Sequence, residues 1–297
     1  MSLGIYGVGT AHAATSYISS AADAVTTAVD TAGIGAESIG AIINVGAARD
    51  LNISEPAIAA LIQQAAGIHL AFDPTHTVAP MTFDLLNGGV GVLNALKVVD
   101  ELVIAGAIGT AVIVAGDVHP SLSPFQRTSF PYSSDVYALV VGPVREGDQI
   151  VAVRDPILLD SAEGGRIYAD LNQAGSGGRS ALTVEPGRYT AKYFDALRSM
   201  LREIQRNGAS STTMTVAAPW TADRNADLSI DADAREVNVV NYYAADRKSD
   251  FTAAPVAAIA AARTSGACIE TMVIPTVPGP EIGVLILTGT SNPAKGN

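Results

Sequence analysis

Cysteine is almost missing from this chain. Cys268 stands alone, so no internal disulfide can form, and a reducing, cytoplasmic setting is expected. Only four histidines occur, His12, His69, His76 and His119, in separate segments without metal-ligand spacing, so no metal site is expected. Charged residues are sparse at 16%, and the 18 basic ones are outnumbered by 29 acids, for a formal charge of −11. That balance argues against nucleic acid and against anionic membrane surfaces, both of which select clustered Lys and Arg. Long apolar runs are missing too: the longest, Leu102–Gly116, falls short of the roughly 20 residues that span a bilayer. No basic segment followed by an apolar core and a cleavage site is present, so no secretory signal is expected. Gly4-x-x-Gly7-x-Gly9 lacks the downstream acid of a dinucleotide loop, and no cofactor is expected.

What the chain has is small apolar residues. Hydrophobic residues make up 48% of its 297 positions while aromatics are only 5%, a composition suited to closely stacked helices and sheets. Apolar periodicity predicts a helix at Ser20–Ala32 closed by Gly33, a strand at Ala41–Val45 and a helix at Pro56–Ala66. Strands follow at Ala111–Ala115, Val136–Val141 and Gln149–Val153. Asp155–Gly187 is rich in glycine, lacks periodicity and reads as a loop excursion. The order of elements then comes round again: a helix at Tyr189–Arg206, strands at Thr213–Ala217 and Glu236–Asn241, a helix at Thr252–Thr264, and strands at Ile269–Ile274 and Gly283–Thr288. Two copies of one α/β unit are expected, with halves at 1–155 and 188–297 and the excursion at 156–187 between them.

Met81–Leu96, MTFDLLNGGVGVLNAL, organises the first half. Met81–Leu86 reads as a buried strand, Gly88, Gly89 and Gly91 as a sharp turn, and Val90–Ile104 as an amphipathic helix. Such a turn lifts its apex residue out of the sheet and aims helix N–H groups at it, the geometry that presents a nucleophile beside an oxyanion site. The stretch resembles the nucleophile segment of the ketoacyl-ACP synthase III group of the thiolase superfamily, roughly FDLxxACxGFxxAL. Phe83, Asp84, Leu85, Gly91, Ala95 and Leu96 fall in register. The resemblance implies a thiolase-like, pseudo-duplicated, five-layered α-β-α-β-α fold. It also places Gly89, which has no side chain, where the reactive cysteine belongs. The family's second catalytic group is a histidine in a PHQAN-like motif. Here Pro219-Trp220-Thr221-Ala222 follows the strand, so Trp220 stands at that position, and an indole cannot act as a base near neutral pH. The family's Gly-Asn motif aligns with Arg247-Lys248, or with Asp250 across a small gap. Val277-Pro278-Gly279-Pro280 occupies the place of a GFGxG-like loop, which leaves Gly89 and Gly279 as oxyanion-loop remnants, and Asp135 is retained from a GDGA-like turn. No GIxxR-like motif precedes the first helix, and a full coenzyme A site is not expected.

Other chemistry-bearing residues are few. Asp117 and His119, at the end of a strand, are candidates for a residual acid/base pair, and Cys268 is read as an inert structural thiol. Arg198, Arg202 and Arg206 repeat every four residues beside an apolar helix face. The resemblance makes that stripe a docking face for an acidic acyl carrier protein, against the plainer reading of a solvated helix face tied to Asp195 and Glu203. Three functions stay open: a non-catalytic partner subunit of an active ketoacyl synthase III-like enzyme, an acyltransferase with a non-cysteine mechanism, and an acyl-chain binding module. A homodimer, or a heterodimer with an active subunit, joined through Thr82–Leu86, is the expected assembly.

Overall fold

A computed structural model describes residues 2–13, 16–53, 55–70, 79–121, 128–158, 165–168, 181–207, 213–228, 236–241, 248–265, 271–279 and 281–289. The first half runs β1 (Leu3–His12), α1 (Tyr17–Ala32), β2 (Ala41–Asn44), α2 (Ile58–Ala65), β3 (Met81–Asp84), α3 (Gly91–Ile104), β4 (Ala111–Gly116) and β5 (Asp135–Gly142). Then come β6 (Gln149–Val153), β7 (Ile157–Leu158), β8 (Arg166–Tyr168), β9 (Thr183–Glu185), α4 (Ala191–Asn207), β10 (Thr213–Ala218), β11 (Glu236–Asn241), α5 (Ala254–Ser265), β12 (Thr271–Pro275), β13 (Glu281–Ile282) and β14 (Val284–Thr288). Among the described residues, ten strands form one sheet in the order β11-β10-β12-β14-β6-β1-β5-β4-β2-β3. Read outward from its middle, the order repeats: β1-β5-β4-β2-β3 on one side matches β6-β14-β12-β10-β11 on the other. The antiparallel pair β1–β6 joins the two sets. By position β6, which a division after residue 155 leaves in the first half, heads the second set.

Strand alternation builds the layers. In β4, Ala111, Ile113 and Ala115 enter the central core, while Val112 and Val114 face α1 and α2. In β12, Met272 and Ile274 face the same central core, and Val273 turns to α4. The central core is filled by α3, through Val92, Leu93, Leu96 and Val99, and by α5, through Val256, Ile259 and Ala262. Outer helices, inner helices and two sheet halves together make the α-β-α-β-α stack that the resemblance implies.

Several expectations need correction or completion. The glycine-spaced segment at residues 4–9, where no strand was expected, lies in β1, beside the middle of the sheet. A Cβ on Gly7 or Gly9 would lie 2.2 Å from Ala28 O or 2.0 Å from Ala24 O, so these glycines let α1 press directly on β1. Helix α1 begins at Tyr17, earlier than the expected Ser20, because Ser16 and Asp50 accept its first N–H groups. The strand before the elbow ends at Asp84 and is an edge strand, with Met81 and Leu86 exposed. The described parts of the excursion are not all loop: β8 and β9 pair as an antiparallel hairpin, and β7 pairs with β13.

Asp117 ties the halves together. Its Oδ1 accepts Ala47 N–H and Ala48 N–H at 3.0 Å each. Its Oδ2 accepts the Thr252 N–H at 2.9 Å and the Thr252 hydroxyl at 2.7 Å. Burial pushes this carboxyl up, and the four donors oppose the shift. Asp117→Ala should strand these buried donors and lower stability by about 3 kcal/mol or more. Denaturant unfolding of the variant checks this; a loss below about 1 kcal/mol would show that the tie is dispensable.

Candidate functional site

The elbow's frame is built by a carboxylate. Helix α2 has Ala57 at its N-cap, so it lacks a side-chain cap of its own. Asp84, at the end of β3, accepts Ile58 N–H at 2.9 Å and Ala59 N–H at 3.0 Å in its place. Asn44 Nδ2 at 3.2 Å and Arg49 Nη1 at 3.3 Å donate to the same carboxylate. Asn44 Oδ1 in turn accepts the buried Tyr17 hydroxyl at 2.6 Å. The aspartate of the FDL pattern thus anchors the strand end from which the chain turns. Gly88 makes that turn at φ +50°, a left-handed conformation that glycine adopts without penalty. A short helical turn at Gly88–Val90 then feeds α3.

At its apex Gly89 is buried against Val277. A Cβ there would lie 3.0 Å from Val277 O and 3.1 Å from Val277 Cγ2, closer than side chains ordinarily pack. Val277 belongs to an apolar cluster with Ala48, Phe130, Tyr132, Phe251 and Ala254. Tyr132 stacks on Phe251, centroids 5.0 Å apart, and Phe130 meets Tyr132 edge-on. Burial, with the nearby Asp117 charge, pushes the Tyr132 hydroxyl up to about 12, so it stays neutral. Beside the cluster lies a cavity of about 480 Å³ between the elbow and the β8–β9 hairpin. Leu86, Asn87 and Gly88 form one wall, and Ile167, Tyr168 and Phe251 face them.

The positions expected to carry chemistry are each engaged in contacts of the fold, several of them around the elbow cluster. Trp220 packs on Tyr189, Tyr193 and Phe194 in the cluster under α4. Its Nε1 donates to Asn225 Oδ1 at 3.0 Å, and Asn225 and Asn241 close the network back onto Trp220 O. Lys248 Nζ donates to the carbonyls of Thr128 and Phe130, which anchors the aromatic segment. Asp250 is buried, and Arg247 lies outside the described residues. Asp117, named as the acid half of a pair, has both oxygens committed to backbone N–H groups and the Thr252 hydroxyl. His119 Nδ1 accepts Ser121 N–H at 3.1 Å, and its ring meets Phe130 edge-on. Gly279 lies on the Val277 loop. Cys268 and His76 lie outside the described residues, among which no group of His, Cys, Asp and Glu is placed to hold a metal. No described helix is long and apolar enough to cross a membrane.

Along α4, Arg198 is held by Asp195 and by the carbonyl of Asp227. Arg206 Nε donates to Arg202 O at 3.3 Å, and Arg202 and Arg206 are exposed. Glu203 pairs with Arg154 at 3.6 Å. Sequence reasoning placed Val277 on the GFGxG-like loop and missed Tyr132 and Phe251, whose only signal was the clustering of scarce aromatics beside loops.

These layers and this elbow define a fold of the thiolase-like condensing-enzyme type. Solved structures bear that out over nearly the whole chain. A tetronic acid condensing enzyme, AbyA1, matches with TM-score 0.69 at 15% identity, covering 96% of this chain and 100% of the other. The 3-oxoacyl-(acyl carrier protein) synthase III of Aquifex aeolicus VF5 matches with TM-score 0.62 at 14% identity, covering 96% and 99%. The FabH synthase of Pseudomonas aeruginosa PAO1 gives 0.66 at 16%, covering 98% of each chain. No family model matches the sequence, and no curated protein matches it. At such identities the likeness shows the fold alone.

Restoring the thiol should not restore condensation. Gly89→Cys leaves Trp220 bonded to Asn225, and a missing general base alone costs about 10²–10⁴ in rate. Steady-state assays with acyl-CoA and malonyl-carrier protein are expected to read background; turnover within tenfold of an active synthase would refute the assignment of Trp220.

Proposed function

We propose that the chain is a non-catalytic, ketoacyl synthase III-like subunit that pairs through β3 with a second thiolase-fold chain, either its own copy or an active synthase of fatty acid or polyketide type. The observation that carries this reading is the coincidence of an elbow whose apex is glycine and, among the described residues, a strand edge left unpaired beside it. β3 is hydrogen-bonded to β2 on one side, where Met81 and Leu85 donate to Gly40 O and Asn44 O at 3.0 and 2.8 Å. Alternation along the strand turns the Thr82 N–H to the other side. An apolar strand edge left open invites uncontrolled pairing, and a two-fold partner removes it. An obligate interface of this kind buries more than about 2,000 Å².

The cavity beside the elbow favours a second reading, an acyl-chain binding module, and a non-cysteine acyltransferase is a third. The exposed Arg202 and Arg206 would serve an acidic carrier protein in either of the first two readings.

The wild-type chain incubated with labelled acyl-CoA is expected to show no acyl adduct by intact mass. A stoichiometric adduct within residues 87–91 would refute the non-catalytic reading. For the seam, light scattering of the purified chain, alone and mixed with the active synthase of its host, should report a dimer. Thr82→Pro removes a donor from the free side of β3 without touching the β2 pairing, and should yield monomer or aggregate. A well-behaved monomer in both wild-type preparations would exclude the seam. Arg202→Glu combined with Arg206→Glu spares Arg198 and its contacts. This double variant should weaken carrier-protein binding at low salt by about tenfold or more if the stripe docks an acidic partner. Unchanged affinity would leave it a solvated face.

A further inference from the structure

The segment over the elbow is pinned on both sides of Val277. Thr276 N–H donates to Gly283 O at 2.9 Å, and Gly283 N–H donates back to Thr276 Oγ1 at 3.1 Å. The buried Tyr193 hydroxyl donates to Thr276 O at 2.7 Å. On the far side Gly165 N–H, from the foot of the β8–β9 hairpin, donates to Pro278 O at 3.0 Å. Gly187 is packed so tightly there that a Cβ on it would meet Pro278 O at 2.2 Å. Held in this way, Val277 is 5% exposed and fixed against Gly89.

The contact is made by backbone and side chain together. From the place of a Cβ on residue 89, Val277 O is 3.0 Å away and Val277 Cγ2 is 3.1 Å away, so the first carbon of any side chain borne there already meets both.

We propose that Val277 is a seal on the elbow, closing it sterically over residue 89 with its carbonyl oxygen and its side chain. The missing thiol and the seal are separate blocks, so restoring the first leaves the second in force. The neighbouring cavity is then separated from the elbow apex, and an occupant would be held there without a covalent bond. The proposal deepens the non-catalytic reading and rests on it for its meaning, while its test is independent.

The test uses the introduced thiol as a reporter. Full-length Gly89→Cys and the double variant Gly89→Cys/Val277→Gly are treated with iodoacetamide in the folded state, and the elbow peptide is quantified by mass spectrometry. Removing the Val277 side chain deletes the 3.1 Å contact and frees the carbonyl to rotate. The single variant is expected to react about tenfold more slowly than the double one, because thiol reactivity follows access and the surrounding field. Equal rates would overturn the seal. Should Gly89→Cys not fold, Val277→Gly in the otherwise unchanged chain gives a second reading: amide exchange across 87–91 should rise about tenfold with cooperative melting retained. Unchanged protection there would also overturn it. An acyl adduct on the wild-type protein outside the elbow would end the non-catalytic reading and leave the seal standing. Equal labelling would do the opposite.

Discussion

The buried Asp117 carboxylate holds the site region together. It sits where β4 ends and accepts two N–H groups from the loop after β2 and two donors from Thr252, just ahead of α5. A carboxylate taken out of water is costly unless its oxygens are filled. Here they are filled from both halves, so the same bonds that make its burial tolerable also set the height of one half over the other. Phe251, the residue before Thr252, is thereby placed against Gly88, and Tyr132 stacks on it.

A second carboxylate does the corresponding work below the elbow. Asp84 serves as the helix cap that α2 lacks and holds Arg49 and Asn44 around the strand end. These bonds preserve the strand–turn–helix of a condensing enzyme whether or not chemistry occurs at its apex. Frame and chemistry are separable in this fold, as they are in folds generally. The frame is intact, whereas the apex is glycine packed under a valine, and the indole N–H of Trp220 is spent on Asn225.

The two halves show where sequence reasoning succeeds. Gln149–Val153 and Glu236–Asn241 were readable to the residue, and the helices to within a turn, because one-sided burial leaves a period in the chain. The duplicated strand order follows from the repeated order of elements. The strand Leu3–His12 escaped notice for a physical reason: it pairs on both sides, and its glycines at 7 and 9 are there for a helix to rest on. Its pattern reports a neighbour that local periodicity cannot show.

By itself the sequence determined the α/β layering, the elbow and the bare glycine at its apex, since each is a property of adjacent residues or of a missing side chain. Only the tertiary structure decided what packs against that glycine. Gly89 and Val277 are far apart in the chain, as are Tyr132 and Phe251, and nothing local to any of them foretells the contact. Asp117 illustrates the same limit: beside His119 in sequence it reads as an acid with a base at hand. Folding instead delivers four donors to its oxygens, two of them from Thr252 in the other half, and those bonds make it a strut.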